Sequence, residues 1–398
     1  MPNPRVIFVN RVHWPAEAAT AQLLADLAEG LAARDWPVHV IAAGEAPGSH
    51  HGVTIHRTGP GDRHGGLISR ALNYGRFVRQ ARRELAALAR PGDVVVVMTD
   101  PPMLGAAMAG TARRAGAGVV QWIQDVYPEI VTAHVGAAAG LPLWPLRARR
   151  DAAWRSARRC VTLGETMAQT VASRGVPAGR ITIVPNWAPL DLAVMPNATA
   201  IAAQRAAWGL ADKFIVAYSG NLGRVHEFAA VIEAARRLES HPEIVFLFIG
   251  TGARFGEVRA ATEAGKLPNI RFLPFAPRTQ LAASLAAADA QLVTLRPGFA
   301  GLVFPSKLAG VLAAGRPTLF VGPPEGEIAA LLKRAGCGAA FAPSDGAGLA
   351  ATILHWQTDP AWREQVGRNA RSIYESHFTF RAALTQWEEI LRAAAKPA

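Results

Sequence analysis

Short continuous apolar segments alternate along the N-terminal half with longer segments in which apolar residues recur every three or four positions. The short segments are typical of strands buried on both faces of a parallel sheet, and the longer ones of amphipathic helices. The predicted strands are 5–10, 37–42, 93–99, 118–123 and 160–163, and the predicted helices are 18–34, 70–89, 102–115 and 146–158. This order of elements predicts a parallel sheet with helices on both faces.

Three prolines and two asparagines interrupt the alternation between Val184 and Asn197. These residues resist regular structure, so the segment is a predicted linker. The alternation then resumes with predicted strands at 214–219, 244–250, 270–273, 291–295 and 318–321, and predicted helices at 228–238, 281–287, 306–314 and 380–395. The fold class is therefore α/β, with two doubly wound Rossmann-like domains that face a central cleft at the carboxyl ends of their strands.

The 398 residues are too many for one ordinary domain core and suit two domains. We predict an N-terminal domain over residues 1–190 and a C-terminal domain over residues 191–375. Residues 376–398 are predicted to form a C-terminal helix that can cross back to the N-terminal domain.

The composition is that of a folded protein from a reducing compartment. Half of the residues are apolar, and the two cysteines, Cys160 and Cys337, allow neither a disulfide framework nor a zinc-binding spacing. The apolar N-terminal segment is too short for a signal peptide, and no segment has the roughly 18 uncharged apolar residues of a membrane span. We therefore expect a cytoplasmic protein.

The net charge of +12 comes almost entirely from arginine and is unevenly distributed. Residues 1–190 carry 21 arginines against 13 acidic residues, a net +8, whereas residues 191–398 carry a net +4. This excess indicates an anionic partner for the N-terminal domain. The basic segments lack the interleaved aromatic residues that bind single-stranded nucleic acid, so no nucleic-acid partner is expected.

A glycine-rich turn follows the predicted strand 214–219. It comprises Gly220, Asn221, Leu222, Gly223, Arg224, Val225 and His226. Glycines let the backbone approach a ligand, and the start of the following helix offers free N–H groups to an anion. The pattern indicates either a phosphate-binding turn with Arg224 as its cation, or an ordinary strand–helix turn with solvated Arg224 and His226.

A second cation, Lys307, lies at the start of the predicted helix 306–314, directly after Pro305 and Ser306. Ser306 is of a type that caps helices. A cation at a helix N-terminus opposes the helix dipole, which is reasonable where an anion lies between them. Together the two elements indicate a diphosphate that is held from two sides.

Several motifs occur in a fixed order along most of the chain. They lie at residues 14–24, 124–129, 218–224, 248–252, 268–272, 305–308 and 313–317. Together these motifs resemble those of the retaining glycosyltransferases of family 4, most closely the WbuB-like branch of surface-polysaccharide gene clusters. The similarity extends from residue 5 to about residue 380.

The resemblance implies a GT-B glycosyltransferase, either a hexosyl- or an N-acetylhexosaminyltransferase, that retains the configuration of the transferred sugar. Its C-terminal domain would bind the nucleotide-sugar donor, with UDP as the nucleotide. The implied donor-binding residues are Gly220, Asn221, Gly223, Gly250, Phe275, Pro305 and Ser306, although core packing also explains Phe275.

The resemblance also implies catalysis without a metal or other cofactor, and the chain contains no Asp-x-Asp. Arg224 and Lys307 would neutralise the departing diphosphate. No protein nucleophile is implied, because in the family's mechanism the leaving phosphate itself accepts the proton of the acceptor.

In the N-terminal half, Gln124 and Asp125 are the candidate catalytic residues, although a turn or a helix cap also explains Asp125. His13, Ala19 and Glu129 are candidates for contacts with the acceptor or the sugar. The sequence departs from the family pattern at Gly310, where relatives often have a ribose-binding glutamate, and at Gln124, where they often have histidine.

Two arginine-rich predicted helices flank the apolar segment 141–146, which contains Trp144. Solvated helix faces explain such arginines, but exposed Leu and Trp beside them are also typical of an interfacial membrane contact. We therefore expect a lipid-linked acceptor, reached by a peripheral protein on the inner face of the cytoplasmic membrane.

The alternative to a glycosyltransferase is a nucleotide-sugar epimerase or hydrolase on the same fold. Such an enzyme would need more carboxylates in the cleft for proton transfer than the sequence offers.

Overall fold

The computed structural model describes residues 3–16, 18–44, 47–59, 66–136 and 142–396. Its contacts divide the chain into two compact units. The N-terminal unit comprises Met1–Asn186, Gly301–Phe304 and Phe380–Ala398, and the C-terminal unit comprises Trp187–Ala300 and Pro305–Thr379.

A single sheet forms the centre of the N-terminal unit. Its strands are β1 Val6–Val9, β2 Val38–Ala42, β3 Gly48–His50, β4 Val53–Arg57, β5 Val94–Val97, β6 Gly118–Trp122, β7 Arg159–Thr162 and β8 Ile181–Ile183. They lie in the order β3-β4-β2-β1-β5-β6-β7-β8, and only β3 is antiparallel to its neighbour among these described strands. The helices around the sheet are α1 Ala19–Ala32, α2 Leu67–Leu88, α3 Leu104–Arg114, α4 Glu129–Val135, α5 Trp144–Ser156 and α6 Glu165–Ala172.

The apolar pattern explains why these segments adopt their conformations. β5 consists of four buried valines, whose branched side chains favour an extended backbone and fill both faces of the sheet. In α1 the buried residues Leu24, Leu27, Ala28 and Leu31 recur at helical spacing and so form one apolar face. The apolar residues of both the strand and the helix are therefore buried in the core of the unit.

The C-terminal unit has a six-stranded parallel sheet. Its strands are β9 Phe214–Ser219, β10 Ile244–Ile249, β11 Ile270–Leu273, β12 Ala290–Thr294, β13 Thr318–Val321 and β14 Gly338–Phe341, in the order β11-β10-β9-β12-β13-β14. Its helices are α7 Ala198–Ala207, α8 Ala229–Arg237, α9 Phe255–Ala264, α10 Leu281–Ala286, α11 Lys307–Ala313, α12 Glu327–Ala335, α13 Gly346–Thr358 and α14 Pro360–His377. The strand order reverses between β9 and β12, as it does between β1 and β5, and such reversals are where doubly wound sheets bind ligands.

The last helix, α15 Phe380–Ala395, belongs to the N-terminal unit and packs against α1 and β6. The ring of Trp387 lies 4.8 Å from that of Trp122. A Cβ on Gly118 would lie 2.1 Å from the carbonyl oxygen of Ala394, so the absence of a side chain at Gly118 allows this close approach.

The predicted fold class of two Rossmann-like α/β domains with parallel sheets is confirmed. The unit boundaries differ from the predicted ones. The contacts place them after Asn186 and after Thr379, and they assign residues 301–304 to the N-terminal unit, which no sequence pattern had indicated. In the described part of the chain, no helix is both long and apolar enough to cross a membrane.

Candidate active site

Two glycine-containing loops meet at the carboxyl ends of β9 and β10. Gly220 and Gly250 have φ values of +122° and +129°, which L-residues rarely adopt. A Cβ on Gly250 would lie 2.4 Å from the carbonyl oxygen of Gly220 and 2.9 Å from the ring of Phe275. The two loops therefore pack backbone against backbone, which is possible only with glycine at position 250.

Lys307, the first residue of α11, extends to this same edge. Its ammonium group donates to the carbonyl oxygen of Asn221 at 3.0 Å and lies 4.8 Å from the centre of the Tyr218 ring. A Cβ on Gly220 would lie 2.8 Å from Cε of Lys307, so Gly220 also makes room for the lysine. The structure thus brings the two predicted phosphate-binding elements together.

His226 holds the other side of the Lys307 ammonium group, with Nε2 3.3 Å from Nζ. Its Nδ1 lies 2.7 Å from the carbonyl oxygen of Thr294 and must therefore donate, which leaves Nε2 as the acceptor for lysine. Burial, together with the Lys307 charge, lowers the pKa of His226 to about 3, so the ring is neutral at physiological pH. His226 is therefore a buried positioning residue and not a solvated one.

Burial also lowers the pKa of Lys307 to about 8. A cation that has lost part of its hydration is stabilised more by an arriving anion than an exposed cation is.

The hydroxyl group of Tyr218 donates to the carbonyl oxygen of Asn221 at 2.8 Å, and this oxygen also accepts from Lys307. Tyr218 was missed as a site residue by the sequence analysis, although its place two residues before the glycine-rich turn was a usable signal.

The other predicted donor residues are placed as follows. Gly223 and Arg224 lie in the turn after β9, and the Arg224 side chain is exposed. Pro305 is buried, and Ser306 precedes α11 but makes no capping hydrogen bond with its side chain. Phe275 is 53% exposed and therefore is not a core residue.

Position 310 faces the interior of the C-terminal unit. A Cβ on Gly310 would lie 3.5 Å from Leu192 and 3.6 Å from Leu285, at ordinary packing distances from two apolar side chains. Gly310 itself has no side chain with which to bind a ribose hydroxyl.

At the carboxyl edge of the N-terminal sheet, Asp125 is partly exposed beside a second carboxylate, Asp100. Burial, followed by the Asp100 charge, raises the pKa of Asp125 to about 6. Arg11 forms two charge-assisted hydrogen bonds of 3.1 Å with Asp100. Burial and the Asp125 charge raise the pKa of Tyr127 to about 12.

Arg11, Asp100 and Tyr127 were missed by the sequence analysis. Asp100 directly follows the buried segment of β5, as Asp125 follows that of β6, so position after a strand was the available signal. The backbone of Asp125 also pairs with Val303, and the N–H of Val126 donates to Leu302 at 2.8 Å. The segment 301–304 therefore fixes the Asp125 loop from a distant part of the chain.

Two of the predicted N-terminal site residues, Gln124 and Glu129, have hydrogen-bond partners inside the unit. The amide of Gln124 is buried and exchanges two hydrogen bonds, of 3.1 and 2.8 Å, with the amide of Asn186. Both oxygens of Glu129 accept from Arg150, at 2.7 and 2.8 Å. Although burial opposes it, the hydrogen bonds from Arg150 hold the pKa of Glu129 below its ordinary value. Both polar groups are therefore paired inside the unit, and their roles, Gln124 as a catalytic residue and Glu129 as a contact of the acceptor or sugar, stay predictions.

His13 and Ala19 lie on the loop after β1 and at the start of α1. His13 is 3% exposed, and neither of its ring nitrogens has a hydrogen-bond partner among the described residues. Burial, followed by the charges of Arg57 and His50, lowers the pKa of His13 to about 4, so the ring is neutral. Its contact with the acceptor stays a prediction, as does that of Ala19.

An arginine-lined surface runs over α2, α3 and α5. Two grooves of about 640 and 650 Å³ lie on it. The arginines that line them are Arg79, Arg82, Arg83, Arg113, Arg114 and Arg149. Trp144 is 63% exposed at the start of α5, and Leu146 lines the second groove. Leu141 lies outside the described residues, and Arg150, which was predicted to belong to this basic face, is buried against Glu129.

The two doubly wound units, with polar groups at the carboxyl edges of their sheets, define the class of the protein as a two-unit α/β protein of the Rossmann-like type. Residues 20–192 match the family model described as Glycosyltransferase Family 4, and residues 201–373 match that described as Glycosyl transferases group 1. The chain is a GT-B glycosyltransferase, with a family 4 N-terminal half and a group 1 C-terminal half.

Two curated bacterial proteins are similar in sequence. WbjE of Pseudomonas aeruginosa, a proposed glycosyltransferase, is 28% identical over 68% of this chain and 67% of its own length. WcaI of Escherichia coli K12, a proposed colanic acid biosynthesis glycosyl transferase, is 32% identical over 39% of this chain and 38% of its own length. Among solved structures, HepE of Anabaena in complex with UDP-glucose aligns with a TM-score of 0.74 at 18% identity, covering 98% of this chain and 99% of HepE.

Proposed function

We propose that the protein transfers a sugar from a UDP-linked donor to a lipid-linked acceptor in surface-polysaccharide biosynthesis, with retention of configuration and without a metal. The observation that carries the donor assignment is the position of Lys307. Its ammonium group is held by Asn221 and His226 beside two loops that Gly220 and Gly250 allow to approach each other and the lysine closely. This arrangement suits a diphosphate, which needs a fixed cation and close backbone approach.

UDP is supported by the complexes of the structurally similar HepE with UDP and with UDP-glucose. The exposed ring of Phe275, next to Gly250, provides a face on which a nucleotide base can stack.

In the proposed reaction, the bond between the anomeric carbon and the diphosphate oxygen breaks while a bond to the acceptor hydroxyl oxygen forms on the same face. The hydroxyl proton passes to the departing diphosphate. Lys307 and Arg224 stabilise the negative charge of that diphosphate. Asp125, when ionised, accepts a hydrogen bond from the acceptor hydroxyl and orients it.

A lipid-linked acceptor is supported by the arginine-lined surface of the N-terminal unit. Each arginine near an anionic membrane contributes about 1 kcal/mol, and exposed Trp144 and Leu146 can insert at the interface. The name of WcaI, which refers to colanic acid biosynthesis, supports a role in polysaccharide assembly.

The donor assignment is tested by incubating the protein with a panel of UDP- and GDP-sugars, with and without polyprenyl-diphosphate sugars, in EDTA. We expect UDP release that depends on the acceptor and yields an α-linked product from an α-linked donor. Release without an acceptor would indicate a hydrolase, and an altered sugar still attached to UDP would indicate an epimerase. The matched glycosyltransferase relatives do not favour either outcome. Activity that EDTA abolishes and magnesium restores would contradict the metal-free mechanism.

The membrane assignment is tested by co-sedimentation with anionic phosphatidylglycerol vesicles at low salt. Arg79, Arg82 and Arg114, all exposed, are changed together to serine, and binding should fall. The matched control changes Arg236, Arg237 and Arg259, which are exposed on the C-terminal unit, and binding should persist. If wild-type protein does not sediment with such vesicles, the acceptor is better sought among soluble molecules.

A further inference from the structure

Two histidines and one glutamate converge on the surface of the N-terminal unit. Glu29 lies in the last turn of α1, His50 ends β3, and His51 begins the turn to β4. Nε2 of His50 lies 3.7 Å from one carboxylate oxygen of Glu29, and Nδ1 of His51 lies 4.0 Å from the other. All three ligand atoms lie within 4.8 Å of one another.

The β3–β4 turn explains why adjacent histidines point the same way. Neighbouring side chains on a strand point to opposite faces. Here His51 and Gly52 form a two-residue hairpin loop with φ values of +47° and +81°, the positive values of a type I′ turn. This left-handed backbone cancels the alternation, so the ring centres of His50 and His51 lie 4.2 Å apart.

Two further features of the cluster favour the binding of a cation. The ring of Trp14 stacks on that of His50 at 3.9 Å with an angle of 11° between the planes, which fixes the orientation of the imidazole. Glu29 lies near the C-terminal end of α1, where the helix dipole disfavours a carboxylate. A cation bound between Glu29 and the histidines would offset the unfavourable interaction of the Glu29 carboxylate with the helix dipole.

We propose that Glu29, His50 and His51 bind a divalent transition-metal ion of the zinc type, with water completing the coordination. Imidazole nitrogens with a carboxylate oxygen are ligands that such ions accept, unlike the all-oxygen sets of magnesium and calcium. Around a tetrahedral zinc ion, ligand atoms lie about 3.4 Å apart, so only small side-chain movements are needed.

The bound ion would join α1 to the β3–β4 hairpin, and through the stacked Trp14 it would also fix the loop after β1. The site is independent of the proposed donor site, whose cation Lys307 lies in the C-terminal unit. The ion is therefore given no part in the proposed transfer reaction.

The test uses the full chain without a histidine tag, stripped of metal by a chelator. Zinc is titrated calorimetrically, and cobalt is titrated as a probe whose visible absorption reports nitrogen and oxygen ligation. We expect one equivalent of zinc per chain and a rise in Tm on zinc addition.

His51→Asn is the sharpest variant, because asparagine tolerates positive φ and so preserves the turn while the ligand is lost. His51→Asn and Glu29→Gln should each weaken zinc binding at least about tenfold, by comparison with the 10–100-fold losses seen when supporting residues of metal sites are changed. His355→Asn, an exposed histidine on the C-terminal unit, is the matched control and should bind like wild type.

Circular dichroism and Tm of the metal-free proteins verify that each variant is folded. The proposal is overturned if wild-type protein takes up no zinc at stoichiometric concentration. It is equally overturned if folded His51→Asn and Glu29→Gln variants retain wild-type affinity and the cobalt spectrum.

Discussion

Nε2 of His226 lies 3.3 Å from the ammonium nitrogen of Lys307 and can only accept, because Nδ1 of the same ring donates to the carbonyl oxygen of Thr294. A neutral imidazole thus orients a partly buried lysine without cancelling its charge. The positive charge remains available to an anion, which is what a site for a departing diphosphate requires.

Lys307→Ala should lower kcat/KM by the equivalent of about 2–4 kcal/mol of transition-state stabilisation, because it removes the cation that stabilises the departing diphosphate. His226→Leu should lose less transition-state stabilisation, about 1–2 kcal/mol, since the lysine remains but loses one hydrogen bond. His226→Gln should recover part of this loss, because its amide oxygen can accept from lysine. Steady-state kinetics would measure all three, with exposed Lys333→Ala as the control. Wild-type kinetics in Lys307→Ala would disprove the donor site.

The pH dependence of kcat/KM should be bell-shaped. Activity should rise through pH about 6 as Asp125 ionises and should fall above pH about 8 as Lys307 loses its proton. Asp125→Asn should remove the acid limb, and Lys307→Arg should move the alkaline limb upward because arginine stays protonated. An unchanged acid limb in Asp125→Asn would show that another group titrates there.

Gly250→Ala should destabilise the C-terminal unit by about 1–3 kcal/mol and raise KM for the nucleotide sugar. The new methyl group would lie 2.4 Å from the carbonyl oxygen of Gly220, at a φ of +129°. Gly256→Ala is the matched control, because this helical position in α9 has no neighbour within 4 Å, and alanine there should be neutral or stabilising by up to about 1 kcal/mol. Equal stabilities of the two variants, measured by urea unfolding, would contradict the close packing of the loops.

Arg150→Met should lower the free energy of unfolding by about 1–3 kcal/mol, because Glu129 loses its two shortest hydrogen bonds and keeps only the longer contacts with Arg147 and Arg174, at 3.7 and 3.4 Å. The double variant Glu129→Leu/Arg150→Met should regain part of that stability, since the buried carboxylate is then removed together with its main partner. Exposed Arg149→Ser, from the same helix, should change stability by less than about 0.5 kcal/mol. A small effect of Arg150→Met would show that the Glu129–Arg150 pair contributes little to the stability of the unit.

The alternation of strands and helices could be predicted from the sequence because the central strands are continuous apolar segments and helices such as α1 have an apolar face. β5 and β9 were predicted in this way, as were the glycine-rich turn and Lys307, whose residue types carry their chemistry locally. The edge strands β3, β8 and β14 and the strand β4 beside β3 were not predicted, because β3 and β8 contain no buried residue and β14 contains one, so their apolar signal is weak.

The sequence by itself determined the fold class, the alternation of strands and helices along the chain and the presence of two cationic elements suited to phosphate. Only the tertiary structure decided which polar groups are already paired. Gln124 meets Asn186, and Glu129 meets Arg150, across separations of 62 and 21 residues. The pairing of segment 301–304 with the backbone of Asp125 was likewise decided only by the tertiary structure. Such pairings depend on where distant elements meet in space, and residue type alone does not reveal whether a buried polar group still has a hydrogen bond to offer.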